Sequence, residues 1–434
     1  MDASPALVLV LSFFFLVFSG VPIAFALGIS AIAAGCAILP PEVILTIVSQ
    51  RLVSGLDNFA LLAIPFFVLA GVLMNHGGIA ARLINLAMVL IGRTPGSLGH
   101  VNIVANMLFG SISGSATAAA AAVGGVMTPM QKQAGFPPTY SAAINISSCV
   151  TGLLIPPSNV MIIYAVTAGN LSIAALFAAG YVPGILLGGA LIVTGFLISY
   201  RRGYGAGERA TLRQAVKAFL DAIPSLLLVL VIIGGIIGGI FTATEASAIA
   251  VLYAFILSVF IYRSIPLKRL PAVLIEASIT TGVVLLLVSV SIAMSWVMTR
   301  ADIPQTVTSA LLSVSDNPFV LLLIINLVLI IVGIFMDMTP AILIFTPIFL
   351  PVAISIGMDP LHFGIMMIFN LCIGLCTPPV GIALFVGCSV AKVSVQSVIK
   401  PLLPFFFSML VALVLVTAIP ELSTSVPNAL GLYK

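Results

Sequence analysis

Apolar stretches long enough to cross a bilayer follow one another from Ala6 to Ile419, with short polar interruptions between them. Runs such as Leu226 to Phe241 and Leu321 to Phe335 are apolar all round, so they predict helices surrounded by lipid or by other helices. A closed barrel needs short alternating segments and a polar lumen, and these runs argue against it. Spans are predicted near 5–19, 22–39, 58–74, 137–168 and 172–200, then near 222–240, 246–262, 272–298, 360–391 and 401–420. Segments 99–132 and 318–356 are predicted as re-entrant helical hairpins, and 137–168 and 360–391 as broken helices.

Composition sharpens this to an all-α polytopic membrane protein, since 61% of residues are hydrophobic and only 6% charged. Met1-Asp2-Ala3-Ser4 lacks the basic start of a cleaved signal peptide, so the first helix is expected to stay as an anchor.

The backbone-breaking residues carry a second message. Pro129, Gly135, Pro138, Gly152, Pro156 and Pro157 recur at an offset of 222 as Pro351, Gly357, Pro360, Gly374, Pro378 and Pro379. Ser30-Ala31-Ile32-Ala33 recurs as Ser247-Ala248-Ile249-Ala250. Each half then holds five crossings and one hairpin, and an odd number of crossings inserts the second copy upside down. The expected organisation is an inverted repeat, residues 1–200 and 222–434, joined by a basic amphipathic connector at 201–221 on the cytoplasmic surface. That connector is better explained by anionic lipid than by nucleic acid. With this trace, thirteen of the sixteen Lys and Arg residues, Arg93 and Arg209 among them, fall on one face. Arg51, Arg300 and Lys434 fall on the other, which puts both termini outside the cytoplasm by the positive-inside rule.

Candidate chemistry gathers where the repeats break. The first hairpin carries Gly110 to Ala118 (GSISGSATA), a tip of hydroxyls and free carbonyls that at membrane depth must line a cavity or bind a cation. Close packing through Gly110 and Gly114 is the alternative. In the second half Asp337 stands where the first has Ser115, and Thr339 where it has Thr117. An ionisable residue at such depth marks an ion or proton pathway, although Asp337 before Met-Thr-Pro also reads as a helix N-cap. Downstream lie the breaks Thr151 to Asn159 (TGLLIPPSN) and Ile373 to Gly381 (IGLCTPPVG), where prolines free carbonyls for Na⁺ and the next half-helix offers its N–H groups to a carboxylate. Ser111, Ser113, Ser115, Gly152, Asp337, Thr339, Thr377 and the Cys376 carbonyl are the candidate sodium ligands. Arg300 is a candidate carboxylate clamp, or else an interfacial arginine or a partner of Asp302. Glu245 is expected to cap a turn and Trp296, the single tryptophan, to anchor at the interface. The five cysteines predict neither a disulfide framework nor a transition-metal site, and three scattered histidines without a catalytic motif leave an enzyme unsupported.

With GSISGSATA, LLIPPSN, GIFTATEAS, TRADIPQ, MDMTPAILIFTPIFLP and CTPPVG in order, the chain resembles the large membrane subunit of tripartite ATP-independent periplasmic (TRAP) transporters along its length. The resemblance implies an elevator-type transporter in the bacterial inner membrane, driven by sodium and importing an organic acid delivered by a soluble periplasmic binding protein. A small four-helix membrane subunit is implied as companion, and is expected as a separate chain. The resemblance further implies two sodium-site regions, Ser111 to Thr117 with Gly152 to Asn159 and Asp337 to Thr339 with Cys376 to Gly381. The substrate would lie between them, against Ser115, Thr117, Pro157, Ser158, Asn159, Asp337 and Arg300. Arginine at position 300 is expected of sialic-acid transporters of this type, which favours N-acetylneuraminate over a C4-dicarboxylate. A stand-alone sodium/organic-anion symporter and an anion channel are the alternative readings.

Overall fold

The computed structural model describes residues 4–92, 94–169, 171–205, 211–315 and 317–433. Arg93, Arg209 and Lys434, used above to orient the chain, lie outside them.

The described residues are helical throughout the apolar stretches. The first half contains α1 (Pro5–Phe18), α2 (Ile23–Cys36), α3 (Pro41–Ser54), α4 (Ala63–His76), α5 (Ile79–Ile91), α6 (Ser97–Ser113), α7 (Ala116–Gln133), α8 (Pro138–Cys149), α9 (Thr151–Leu154), α10 (Asn159–Thr167) and α11 (Ile173–Arg202). The second contains α12 (Leu212–Ile237), α13 (Ala243–Phe255), α14 (Leu270–Arg300), α15 (Ile303–Val314), α16 (Pro318–Phe335), α17 (Met338–Ser355), α18 (Pro360–Cys376), α19 (Ile382–Ala391), α20 (Val395–Ala418) and α21 (Glu421–Ala429). Among the described residues, eight helical segments are long and apolar enough to span a membrane, and α8 to α10 adds a ninth across a 49° bend.

The helix bounds follow the sequence offset. α7 and α17 are displaced by 222 at both ends, and α8 and α18, like α11 and α20, start 222 apart. Gly135 and Gly357 hold φ of 83° and 81° at the ends of α7 and α17, where each chain must turn left-handed before the proline that opens the next helix. The same carbonyl pattern closes both ends, with Phe136 N–H donating to Gln131 O and Met358 N–H to Ala353 O, each at 2.9 Å. Recurrence of these glycines and prolines therefore has a local cause.

Three sequence expectations change in detail. α1 and α2 have 14 residues each, about 21 Å, shorter than the ~30 Å hydrocarbon core. The polar stretch taken as a connector to residue 221 is divided. α12 begins at Leu212, because Thr211 and Gln214 form a capping box that starts the helix inside the basic segment. α3 and α21 were not foreseen, since each carries too few apolar residues to read as a span.

α8 and α18 form the centre. α18 buries every residue from Leu361 to Cys376 and α8 every residue from Tyr140 to Cys149, as expected of helices that touch only protein. They run antiparallel, since the Cys376 thiol reaches Ile146 O at 3.1 Å while Cys372, one turn earlier, reaches Val150 O at 3.6 Å. Around them α7 packs on α19 and α10 on α17, so each hairpin leans on the broken helix of the other half. Several of the remaining helices pair across the halves too. α4 lies on α13, and Ser258, in the turn of π-helix that follows α13, donates its Oγ–H to Leu73 O at 3.1 Å; α14 lies on α2 and α3.

Candidate functional site

Both hairpin tips open into one cavity of about 580 Å³. Gly114 and Ser115 join α6 to α7, and Met336 and Asp337 join α16 to α17. Ser115 caps α7 by accepting from Ala118 N–H at 3.3 Å, and its hydroxyl lies 3.1 Å from that of Thr117. Asp337, the equivalent position, caps α17 by accepting from Met338 N–H at 2.8 Å. The capping geometry uses one carboxylate oxygen and leaves the other with no partner among the described residues, so Asp337 both starts a helix and faces the cavity.

Two close backbone approaches hold the tips in place. A Cβ on Gly110 would stand 2.7 Å from Gly152 Cα, and one on Gly374 would stand 2.6 Å from Gly333 Cα. Each hairpin thus meets the helix just before the break of its own half at a pair of glycines. Behind them, buried amides lock arm to helix. Asn106 Nδ2 lies 2.7 Å from Ser148 Oγ and 3.1 Å from Asn145 Oδ1. Asn370 Nδ2 donates to Asn326 Oδ1 at 2.7 Å. The breaks span Ile155 to Ser158 and Thr377 to Gly381, and the Pro156-Pro157 and Pro378-Pro379 peptides are both cis. Gly381 N–H donates to Ile334 O at 3.2 Å, which ties the second break to its hairpin.

Of the residues singled out from sequence, Ser113, Ser115, Thr117, Asn159, Asp337 and Thr339 line the cavity together. Ser111, Gly152, Pro157, Ser158 and Cys376 are buried and Thr377 is half-buried, and none of them lines it. Ser158 Oγ is buried with no hydrogen-bond partner among the described residues. Arg300 is not brought to this cavity. It is exposed at the end of α14, 16 residues beyond the cavity residue Val284, or about 24 Å along the helix. Glu245 is the third residue of a capping box with Thr242, and Trp296 is half-buried beside α3 rather than free at a surface.

Sequence reading missed the residues from the other wall. Asn75 on α4 and Glu276 on α14 complete the cavity, and Glu276 Oε2 lies 2.9 Å from His76 Nε2. Glu276 carried a usable signal, a lone carboxylate two turns into an apolar helix. The lining therefore contains two carboxylates, Asp337 and Glu276, and neither lysine nor arginine.

A polytopic helical protein whose two equivalent polar loops meet in a small-molecule-sized cavity is, by class, a membrane transporter. The chain belongs to the tripartite ATP-independent periplasmic transporter family, the model of whose DctM component matches residues 10–422. It is 55% identical over 424 residues to the uncharacterized protein YgiK of Salmonella typhimurium, covering 98% of this chain and 97% of that one. It is 40% identical to the sialic acid TRAP transporter large permease protein SiaM of Vibrio cholerae, over 95% and 96% of the two chains. It is 37% identical to the C4-dicarboxylate TRAP transporter large permease protein DctM of Rhodobacter capsulatus, over 96% and 97%. The YdaH transporter of Alcanivorax borkumensis shares the fold, with a TM-score of 0.65 over 95% of this chain and 97% of that one at 13% identity. Membership makes the chain a large permease subunit rather than an enzyme, and implies a small membrane subunit and a periplasmic binding protein.

Proposed function

We propose that this large permease imports an organic acid in obligatory company with sodium ions, by an elevator movement of the hairpins and broken helices against the remaining helices. The observation that carries the proposal is the charge of the cavity. Two carboxylates line it, Glu276 with the His76 imidazole at 2.9 Å and Asp337 with no basic partner among the described residues, and neither lysine nor arginine does. This lining disfavours an organic anion unless cations enter with it, and a low-dielectric site amplifies that repulsion. Sodium at the hairpin tips, held by Asp337, Thr339 and the hydroxyls and freed carbonyls around Ser115, supplies the compensating charge. Coupling follows, because the acid binds well only to the sodium-loaded arrangement.

The elevator reading draws on the contact pattern. α6 to α10 and α16 to α19 interlock about the antiparallel α8 and α18, which suits a single moving body built from inverted halves. α2, α4, α13 and α14 pair separately across the halves, which suits a static frame, with α5 and α15 as connecting arms. Arms of 18 residues are about 27 Å long, so length alone does not decide between crossing and re-entry. Convergence of both tips on one cavity favours re-entry. The inner bacterial membrane with both termini outside, and a four-helix small subunit, complete the reading.

N-acetylneuraminate is the first acid to test. Arg300, which suggested it, stands away from the cavity, and relatives named for sialic acid and for C4-dicarboxylates are almost equally similar. The decisive experiment is uptake of labelled N-acetylneuraminate and succinate into proteoliposomes holding this chain and its small subunit. An inward sodium gradient is applied with and without a cognate binding protein. Uptake that needs both sodium and the binding protein is expected. Sodium-driven uptake without the binding protein would replace the tripartite reading with a stand-alone symporter, and conduction without sodium would replace it with a channel.

A further inference from the structure

A second cavity, of about 290 Å³, lies further along the same face of α14. Glu276, Thr280 and Val284 line the first cavity, and Val288, Ser291, Ser295 and Thr299 line the second. These positions recur every three or four residues, so they form one stripe on the helix, about 35 Å from end to end. Such a stripe is as long as a bilayer is thick. α10 mirrors the arrangement. Asn159 and Val160 face the first cavity, Val166 and Thr167 the second, and Ile163 lines both as the wall between them.

The two ends of the stripe have opposite charge. The first cavity contains two carboxylates and no base; the second contains Arg51 and no acid. Arg51 sits in the last turn of α3, and the ion pair found among the described residues, His76 with Glu276, does not involve it. Hydroxyls of Ser291, Ser295 and Thr299 lie along the wall, and the Ser291 hydroxyl is buried with no hydrogen-bond partner. The exposed Arg51 guanidinium, with no carboxylate partner among the described residues, shares this cavity with an unsatisfied hydroxyl, and the pair matches a carboxylate or sulfonate, which takes paired N–H donors from the one and an O–H from the other.

We propose that this second cavity is an anion station, where Arg51 holds the acidic group of the organic acid at the far end of the α14 stripe from the hairpin tips. The choice of a soluble organic acid as occupant rests on the transport reading above. At the station the anion is neutralised by the protein itself; at the tips it needs sodium. The station therefore binds the acid in the absence of sodium, and the tip cavity does not.

Trp296, the single tryptophan of the chain, lines the station and reports on it directly. The full-length chain is placed in zwitterionic phosphatidylcholine nanodiscs without sodium, and Trp296 fluorescence is titrated with the potassium salts of N-acetylneuraminate, succinate and isethionate, against potassium chloride. A saturable change with at least one acid is expected, its midpoint raised tenfold or more by Arg51→Ala and partly recovered in Arg51→Lys. Should Arg51→Ala not purify as a monodisperse protein, Arg51→Gln removes the charge with less loss of volume and decides the question in the same way. No saturable change with any acid, a change that Arg51 substitution leaves untouched, or a response only when phosphatidylglycerol is added would each overturn the proposal. Sodium-driven uptake by the same purified chain, reconstituted into proteoliposomes with its small subunit and a cognate binding protein, separates the two readings. Intact uptake with a silent Trp296 removes the station alone, and a responsive Trp296 without sodium-driven uptake removes the transport reading alone.

Discussion

Cys372 and Val150 occupy equivalent positions in the two halves, 222 residues apart, and they touch, with the thiol 3.6 Å from the carbonyl oxygen. Positions equivalent in the sequence duplication thus meet at the middle of the antiparallel α8 and α18 pair. The hairpin tips of both halves open on one cavity beside it.

Asp337 has two roles that substitution separates. Asn caps a helix about as well as Asp, so Asp337→Asn is expected to keep thermal stability while raising the sodium concentration for half-maximal uptake about tenfold or more. Asp337→Ala loses the cap as well, and is expected to lower stability by a further ~0.5–2 kcal/mol. Thermal unfolding in detergent beside sodium-dependent uptake reads both. Retained sodium dependence in Asp337→Asn would remove Asp337 from the coupling site.

Glu276 brings a carboxylate to the cavity from α14, 2.9 Å from the His76 ring. Glu276→Gln is expected to lower the KM for the acid at fixed sodium about 2- to 10-fold, and His76→Ala to raise it, because the field at the site changes in opposite senses. Side chains this exposed are screened, so the effect is expected to shrink in high salt. Initial uptake rates at two ionic strengths measure it.

The glycine contacts make a stability prediction with an internal control. Gly110→Ala and Gly374→Ala drive a Cβ into backbone and are expected to cost ~1–3 kcal/mol or more, with loss of uptake. Gly125→Ala and Gly189→Ala, helical positions with nothing within 4 Å of the added Cβ, are expected to be neutral or to stabilise by ~0.5–1 kcal/mol. Melting temperatures of the four variants test the contrast.

Asn106 supplies an amide to Asn102, Asn145 and Ser148 inside the first half. Asn106→Ala leaves those acceptors short of a donor in a dry interior, at an expected cost of ~1–3 kcal/mol. Hydrogen exchange is expected to rise in α6 and α8 before α1 and α2, since the amide joins the hairpin to its own broken helix. Uniform exchange along the chain would show that the amide acts on global stability alone.

Sequence by itself determined the helices, the duplication and the two breaks, because these depend on local physics. Apolar runs must be helical in a bilayer, left-handed turns select Gly135 and Gly357, and the paired prolines Pro156-Pro157 and Pro378-Pro379 interrupt their helices where single prolines such as Pro183 and Pro224 do not. Asp337 stood out for the same reason, as a charge within an apolar stretch that also reads locally as a helix cap. Only the tertiary structure decided which residues share a space. It placed Thr117, Thr339 and Asn159 around one cavity, brought Glu276 and Asn75 to them from separate helices, and left Arg300 outside. A helix shows its neighbours one turn away and nothing of what crosses it. The site is made by crossings between helices more than a hundred residues apart, and no local preference encodes those.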